Sequence, residues 1–262
     1  MFNMIIILLA TLNSEPIGTN DYRISRFILS NLKDIQNYNI SQLAKACFVS
    51  NSSISRFCRK VGFQDFNELK YQFFQWSDIG EQKFRYPNQI NGQIKISFID
   101  AVIHNLQLLK RSLSDSAMQQ LVKDILSYPK VAAFGTLHSQ GVVLNLQTDL
   151  LTSGIVLDTR TRFQEQLDYL EDAEEDTLVL LFSRGGSHFK RFLLHNLQLN
   201  PQHRPKIIMI TSNQNIKPNK YIDQCIYYEE EEGFAAYPYA FEVIKGILAL
   251  EVYQQKKSEP SA

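Results

Sequence analysis

The chain has 262 residues, 44% of them apolar and 21% charged, which is the composition of a globular protein with one large or two ordinary domains. Basic and acidic residues number 27 each, so the net charge is zero and general polyanion binding is excluded as the main activity. Any contact with nucleic acid must use a local patch.

The chain begins with an apolar stretch, MFNMIIILLATL. It has neither the basic start nor the small-residue cleavage site of a signal peptide, and its apolar run is too short to span a bilayer. We expect a helix that packs on the following domain or on a second subunit. No other segment is a membrane candidate.

The three cysteines form no CxxC pair. Cys47 and Cys58 fall on apolar stripes, so we expect buried small hydrophobes rather than metal ligands or a disulfide. This favours a reducing, cytoplasmic compartment, and no metal or cofactor is expected.

A second helix follows a break at residues 13–18, which contains Pro16 and Gly18. Thr19 or Asn20 can cap it. Its predicted apolar face has a helical spacing and consists of Ile24, Phe27, Ile28, Leu32 and Ile35.

Residues 40–63, ISQLAKACFVSNSSISRFCRKVGF, predict two short helices joined by a tight turn. Apolar residues recur at i, i+3, i+4 and i+7 in each half, as two packed helices require. The predicted stripes are Ile40, Leu43, Ala44 and Cys47, then Ile54, Phe57, Cys58 and Val61.

The turn between these helices is predicted at residues 48–50. Ser50 suits an N-cap, and Val49 and Ile54 occupy the N′ and N4 positions of a hydrophobic staple. Gly62 follows the last apolar position, where a helix stop is expected.

The second of the two helices leaves hydroxyl and basic side chains on its free face. They are Ser52, Ser53, Ser55, Arg56, Arg59 and Lys60, behind the cap Ser50. Short hydroxyls near a helix start, followed by arginines, suit a helix in the DNA major groove. On spacing alone, a helix pair with no role in DNA binding remains an open alternative. Such helix pairs are common, and basic residues on a helix face are usually only solvated.

One more helix is predicted from Phe66, Leu69, Phe73 and Phe74, closing an all-α domain over residues 1–76. Residues 77–93 are polar and lose periodicity, which predicts a linker. Residues 1–80 contain eight basic and six acidic residues, so this part carries only a small positive excess.

A second domain is predicted over residues 94–256. A long helix from about Ile94 to Leu113, with Ile99, Val102, Ile103, Leu106 and Leu109 on one side, precedes a helix capped by Ser114. Strands at 131–134, 154–157, 177–182, 206–211 and 224–228 then alternate with helices at 139–151, 161–171, 187–199 and 236–254. This pattern is typical of an α/β fold with a parallel, doubly wound sheet.

Two loops that follow strands have the chemistry of a phosphate site, because glycines admit an anion and serine hydroxyls and helix-start amides donate to it. Their candidate ligand-binding residues are Gly135 and Ser139 in the first loop, and Ser183, Arg184, Gly185, Gly186, Ser187 and His188 in the second. Glycine and serine are also what any tight strand-to-helix turn needs, so this alternative stays open.

Residues 50–70 resemble the helix-turn-helix of the RpiR family of transcription regulators. The resemblance rests on a serine that opens the recognition helix, an Arg-Phe pair within it, a closing Gly-Phe, and a Phe-x-Glu-Leu-Lys segment. The matching residues are Ser50, Arg56, Phe57, Gly62, Phe63, Phe66, Glu68, Leu69 and Lys70.

Residues 94–254 are similar to a SIS (sugar isomerase) domain, the phosphosugar-binding module of such regulators. The usual first loop, Gly-x-Gly-x-Ser, is matched by Gly135 and Ser139, with Leu137 at the second glycine. In the usual second loop, Ser-x-Ser-Gly-x-Thr, Ser183 and Gly186 match, whereas Gly185 and His188 replace the second serine and the threonine.

The resemblance implies a cytoplasmic transcription regulator of sugar metabolism that binds double-stranded operator DNA as a homodimer or homotetramer and responds to a phosphorylated sugar. Two alternatives remain open. One is a phosphosugar isomerase whose catalytic base is His138, His188 or a residue of the acidic run 229–232. The simpler interpretation of the acidic run is a solvated loop. The other is a DNA-binding dimer with a vestigial pocket.

Overall fold

The computed structural model describes residues 4–74, 94–231 and 239–258, which fall into two compact units, within residues 1–85 and 86–262. The predicted linker 77–93 and Trp76 lie outside these ranges. The predicted limits of the domains therefore stay predictions.

The N-terminal unit is helical, as predicted. Its elements are α1 (Met4–Ser14), α2 (Asn20–Ser30), a 3₁₀ turn (Ile35–Asn37), α3 (Ile40–Ala46), α4 (Asn51–Lys60) and α5 (Phe66–Phe74). Helix α1 packs on α2 and buries Met4, Ile5, Ile7 and Leu8 in the shared core. The apolar start of the chain is therefore part of this unit's core.

Most predicted helix starts and stops of this unit are present, but α2 ends at Ser30, so Leu32 and Ile35 of its predicted face lie beyond the helix, with Ile35 in the 3₁₀ turn. Of the two candidate caps of α2, Thr19 takes the role, since its hydroxyl accepts from the Tyr22 amide at 3.3 Å. Gly18 and Gly62 both have positive φ, at 93° and 96°, a conformation that glycine adopts without strain. The buried stripes of α3 and α4 also match, with Ile40 only partly buried.

The C-terminal unit consists of α6 (Ile94–Ser112), α7 (Asp115–Ser127), β1 (Lys130–Phe134), α8 (His138–Leu151), β2 (Leu157–Asp158), α9 (Phe163–Asp172), β3 (Thr177–Phe182), α10 (Ser187–Leu194), β4 (Lys206–Thr211), β5 (Gln224–Tyr227) and α11 (Tyr239–Ser258). Its five strands are all parallel, in the order β2-β1-β3-β4-β5. This is a doubly wound sheet whose order reverses between β1 and β3, where such folds bind ligands.

Successive residues of β3 point to opposite faces of the sheet, and both faces are covered. Leu178, Leu180 and Phe182 join a core with α7, α8 and α11, whereas Val179 and Leu181 join a core with α9 and α10. Because both faces are buried, the strand is apolar throughout, and its predicted limits match the observed ones.

Several predicted limits are wrong or lie outside the described residues. Strand β2 begins at Leu157 instead of residue 154, because Gly154 (φ 75°) belongs to the turn that ends α8. Helix α10 ends at Leu194 instead of 199, because Asn196 is left-handed (φ 56°) and the Leu197 amide bonds back to Phe192. Helix α11 begins at Tyr239, and the predicted start at 236 lies outside the described ranges.

The predicted apolar side of α6 is only partly buried. Leu109 is buried, but Ile99 and Ile103 are each 47% exposed. The buried side instead includes Asn105, whose side chain accepts from the Glu231 amide at 2.6 Å. The helix is thus rotated from the prediction, because a polar contact occupies its inner face.

Candidate nucleic-acid interface and ligand loops

Helices α3 and α4 form the predicted helix-turn-helix. The Ser50 hydroxyl caps α4 by accepting from the Ser53 amide at 3.1 Å, and Val49 packs against the core that contains Ile54. Phe48 is left-handed (φ 56°) and turns the chain between the helices. The Val49 amide then bonds to the Ala44 carbonyl at 2.9 Å, which ends α3.

The free face of α4 carries two exposed arginines, Arg56 and Arg59, with the exposed Ser52 near its start. The Ser52 hydroxyl lies 2.8 Å from that of Ser50, and the half-buried Ser55 donates to the Asn51 carbonyl at 3.2 Å. This face offers donors, two guanidinium groups and the positive end of a helix dipole.

Ser53 was predicted to be free, and this is wrong. Its side chain is 8% exposed and lies between the Ser50 hydroxyl at 3.0 Å and the Asn20 amide at 3.4 Å. The local spacing could not show this, because the contact with Asn20 comes from α2. Ser53 therefore joins α2 to α4.

Lys60 is exposed but not free of partners. Its ammonium lies 2.9 Å from the Glu15 carboxylate and 2.6 Å from that of Asp21, and these two hydrogen-bonded carboxylates outweigh burial and raise the lysine pKa. The predicted basic cluster of three thus has two cations without a carboxylate partner among the described residues, Arg56 and Arg59.

Sequence reasoning missed Asn51, the exposed first residue of α4. Its side-chain amide donates to the Ser41 hydroxyl of α3 at 3.0 Å, which holds it at the start of the recognition helix. An asparagine amide can pair with adenine in the major groove. Its position directly after the cap Ser50 is the sequence feature from which it could have been identified.

The two cysteines of this unit are free thiols buried in its core, as predicted. Burial raises the pKa of Cys47 to about 11, and burial with the nearby Asp65 charge raises that of Cys58 to about 12. Both thiols therefore stay protonated and unreactive at neutral pH.

The two ligand loops of the C-terminal unit lie side by side. Strands β1 and β3 pair in parallel with Phe134 opposite Leu181, so both chains leave the sheet at the same edge. The Thr136 hydroxyl then lies 2.6 Å from Nδ1 of His188. Residues of both predicted loops are thus in direct contact.

Gly135 and Gly186 occupy positions where a Cβ would clash with neighbouring atoms. A Cβ on Gly135 would lie 2.6 Å from the Ser139 backbone carbon, and one on Gly186 would lie 2.1 Å from Cδ1 of Ile216. Gly186 is also left-handed, with φ 79°. Gly185 is exposed, and a Cβ there would meet nothing within 4 Å.

Ser139 and Ser183 are both buried at these loops, and Ser187 is half-buried at the start of α10. The Ser183 hydroxyl has no hydrogen-bond partner among the described residues. A buried hydroxyl of this kind is costly unless something completes its bonding. Substitution of Ser183 is therefore the most informative test of ligand binding at the second loop.

Arg184 is predicted as a source of positive charge for an anion. Its Nε donates to the carboxylate of Glu230, whose side chain is 3% exposed and also accepts from the Ser212 hydroxyl at 2.8 Å. The expectation that the acidic run is solvated is therefore wrong for Glu230. Nothing in local spacing shows this pair, because the loop after β5 supplies the carboxylate.

His188 is buried, with Phe192 edge-on at 4.8 Å between ring centres. Burial, with a smaller effect of the Arg191 charge, lowers the pKa of His188 to about 3, so the imidazole is neutral at physiological pH. Sequence reasoning assigned this residue to the loop but missed its partner, Thr136.

Leu137, at the second glycine of the usual pattern, has φ 53° and ψ −108°. This backbone conformation is strained for any residue with a Cβ, at about 1–3 kcal/mol. The loop thus has a glycine-like backbone without the glycine.

We expect Leu137→Gly to be more stable than Leu137→Ala by about 1 kcal/mol, because both lose the leucine side chain but only glycine relieves the strain. Urea unfolding midpoints of the two variants measure the difference. Equal stability, or the usual advantage of alanine, would show that the backbone here is not strained.

Comparison with known proteins agrees with this architecture. Residues 8–77 match the model described as "Helix-turn-helix domain, rpiR family". The N-terminal unit is a helix-turn-helix domain of the rpiR family. This rpiR-type domain contains α3, α4 and every predicted DNA-contacting residue.

Two curated relatives are similar to the chain. An uncharacterized HTH-type transcriptional regulator of Providencia stuartii is 24% identical over 64% of this chain and 61% of its own length. The HTH-type transcriptional regulator GlvR of Bacillus subtilis is 38% identical over 26% of each chain. The chain thus spans about three-fifths of the first relative and a quarter of the second.

Solved structures support the fold of both units. The Vibrio vulnificus NanR protein, complexed with ManNAc-6P, covers 97% of this chain and 94% of its own at 14% identity and a TM-score of 0.52. The sugar isomerase domain of an RpiR transcription factor from Sphaerobacter thermophilus covers 63% and 92%, at 15% identity and a TM-score of 0.51. The C-terminal unit therefore has the sugar isomerase fold, and it follows an rpiR-type domain in the chain.

Proposed function

We propose that the chain is a cytoplasmic, DNA-binding transcription regulator of sugar metabolism, and not an enzyme. Its rpiR-type domain binds operator DNA through α4, and its sugar isomerase-fold domain binds a phosphorylated sugar that controls this binding. The observation that carries the proposal is the capped helix α4, which turns Arg56 and Arg59 to solvent from a fully packed opposite face.

The geometry of α4 supports reading in the major groove. Its buried residues Ile54, Phe57 and Cys58 fix the helix against the rest of the domain, so the exposed residues are held in a defined direction. Near its start it offers Asn51 and Ser52, and behind them Arg56, which suits bidentate bonding to a guanine. Arg59, one turn later, suits a phosphate.

The contribution of Arg59 can be measured by titrating labelled operator DNA at several salt concentrations. Arg59→Ala should lower affinity for all sequences alike and flatten the salt dependence by roughly 0.9 for each phosphate that is no longer neutralised. Lys60→Ala is the matched control and should flatten it less, because its charge is already paired with Glu15 and Asp21. An unchanged slope for Arg59→Ala would contradict this docking of α4.

Binding of a phosphorylated sugar is supported by the adjacent loops after β1 and β3, with the incompletely bonded Ser183 hydroxyl. The NanR structure of the same fold is a complex with ManNAc-6P. Coupling of sugar and DNA binding would be reciprocal, on the order of 1–3 kcal/mol.

A thermal-shift screen with sugar phosphates tests this part. A ligand of the loops should raise the melting temperature of the wild type, and Ser183→Ala should abolish most of the shift because it removes a donor to the anion. Ser127→Ala, which removes a hydroxyl from the end of α7, is the control. A full shift in Ser183→Ala would place the ligand elsewhere.

A DNA-binding dimer with a vestigial pocket is a second candidate. It is favoured by Leu137 in place of a glycine and by the Arg184–Glu230 pair, which leaves the second loop without a free charge from this arginine. Operator binding that responds to no metabolite would support it. An isomerase is disfavoured, because Glu230 is held by Arg184 and Ser212, and the curated relatives are named as transcriptional regulators.

Assembly as a homodimer or homotetramer is also proposed. Ile96, Ile99 and Ile103 recur along one exposed side of α6, with exposed fractions of 52%, 47% and 47%. A second copy would remove these side chains from water. Paired recognition helices should then lie about 34 Å apart or at a multiple of that distance on DNA.

The described helices include none long and apolar enough to cross a membrane.

A further inference from the structure

The Thr136–His188 hydrogen bond joins the two ligand loops at the edge of the sheet. Thr136 follows β1 and His188 is the second residue of α10, so the bond joins the first loop to the helix that follows the second loop. Its 2.6 Å length places the hydroxyl and Nδ1 in direct contact. Opening the space between the loops therefore requires this bond to break.

The imidazole of His188 is fixed on its other sides by aromatic rings. The ring centre of Phe192 lies 4.8 Å away and that of Phe163 lies 6.1 Å away, both edge-on. The side chain is 7% exposed, and its Nε2 has no hydrogen-bond partner among the described residues. The ring thus fills space between α9 and α10, and Thr136 is its polar contact.

Ser183 is the first residue of the segment that connects β3 to α10. Its hydroxyl is buried and has no hydrogen-bond partner within the described ranges, although a serine at this position would suit an anion. Phe134 pairs with Leu181, so the residues that follow, Thr136 and Ser183, leave the sheet at similar height. Thr136 and Ser183 therefore follow adjacent strands at the same level, and the Thr136–His188 bond joins the two segments that contain them.

Arg184 is not available to bind an anion while its side chain is paired with Glu230. Its side chain is held by the buried Glu230 carboxylate, and its carbonyl accepts from the Thr211 hydroxyl at 2.6 Å. A ligand that approaches the second loop therefore has Ser183 and the helix-start amides of α10 as its main donors. Access to Ser183 then decides binding.

We infer that His188 determines access of a phosphate group to the second loop: its hydrogen bond to Thr136 holds the loops together, and binding of a phosphate ester at Ser183 requires that bond to open. The inference rests on the ligand half of the proposed function. His188 is thus a residue that sets ligand affinity, and Thr136 acts through it.

Thr136→Val tests this directly, since valine keeps the volume of threonine and loses the hydroxyl. Titration calorimetry of the full chain with inorganic phosphate, and separately with glucose 6-phosphate and N-acetylmannosamine 6-phosphate, measures affinity. The variant should bind at least one of these about 2- to 10-fold more tightly than the wild type, which is the equivalent of one neutral hydrogen bond.

His188→Ser gives a second reading, because it removes the ring as well as the bond and should also bind more tightly. Thr152→Val is the control: its hydroxyl bonds to the nearby Asp149 carbonyl at the end of α8, away from both loops in sequence, so the affinity of this variant should equal that of the wild type. Circular dichroism and the melting temperature establish that each variant is folded.

Two results would overturn the inference in distinguishable ways. If the wild type binds a sugar phosphate and Thr136→Val binds it no more tightly, the role of His188 is refuted and the proposed ligand stands. If no sample binds inorganic phosphate or either sugar phosphate, the inference and the ligand half of the proposed function both fail. DNA titration of the same samples then still tests the operator-binding half.

Discussion

Arg56→Ala should weaken binding to the preferred operator about 5- to 150-fold, which corresponds to about 1–3 kcal/mol for the removal of one side chain that bonds to a base pair. Arg56 is exposed on α4, while its neighbours in sequence, Phe57 and Cys58, anchor the helix in the core. The loss of affinity should be larger for the preferred operator than for unrelated DNA, because a base contact carries specificity and a phosphate contact does not.

Arg26→Ala is the matched control for this experiment. It also removes an exposed arginine of the same domain, but from α2, where the guanidinium bonds to the Tyr22 hydroxyl at 3.1 Å. We expect it to change affinity for preferred and unrelated DNA by the same factor. If Arg56→Ala behaved in that way too, its role would be electrostatic and not one of base recognition.

Gly135→Ala should destabilise the C-terminal unit by about 2–3 kcal/mol. Its new Cβ would lie 2.6 Å from the backbone carbon of Ser139 and 2.9 Å from the amide nitrogen of Gln140, and backbone atoms at the start of α8 cannot move aside cheaply. The Gly135 carbonyl also accepts from the buried side chain of Gln166 at 3.2 Å, so movement of the loop disturbs a second contact.

Gly141→Ala, within α8, is the control for this substitution. Gly141 is exposed, and a Cβ there would meet nothing within 4 Å. Alanine should therefore stabilise α8 by about 0.5–1 kcal/mol through its higher helix propensity. Unfolding midpoints in denaturant measure both changes. Equal effects of the two substitutions would show that the close approach at Gly135 is absent in solution.

The elements that sequence predicted well are those specified by nearby residues. The cap at Ser50, the stripe of α4 and the limits of β3 depend on side-chain type and spacing within a few turns or one strand. The RpiR and sugar isomerase resemblances then supplied the domain types. The order of the parallel strands is a property of the fold and was not deduced from any local pattern.

The parts of the site that sequence did not predict are contacts between distant segments. Lys60 pairs with Glu15 and Asp21 across the domain, and Arg184 pairs with Glu230 from another loop. In each case the residue type suggested a cation free for an anionic ligand. The structure instead supplies a carboxylate, because the fold brings it there.

Leu137 and His188 illustrate a different difficulty. As departures from the usual loop patterns they were identified from sequence, but their consequences depend on backbone conformation and on packing. Leu137 keeps a glycine-like backbone, and His188 fills space beside Phe192 while bonding Thr136. The ligand half of the proposed function therefore depends on how readily these two loops separate.

The central claim, that α4 reads operator DNA through Arg56, is tested most directly by a base-by-base competition assay. An operator is first selected from random duplexes by the full chain, and each base pair is then substituted in turn and measured with the wild type and with Arg56→Ala. We predict that one or two adjacent positions that cost the wild type about 1–3 kcal/mol will cost the variant almost nothing, while the other penalties persist. An unchanged penalty at every position in Arg56→Ala would contradict the claim.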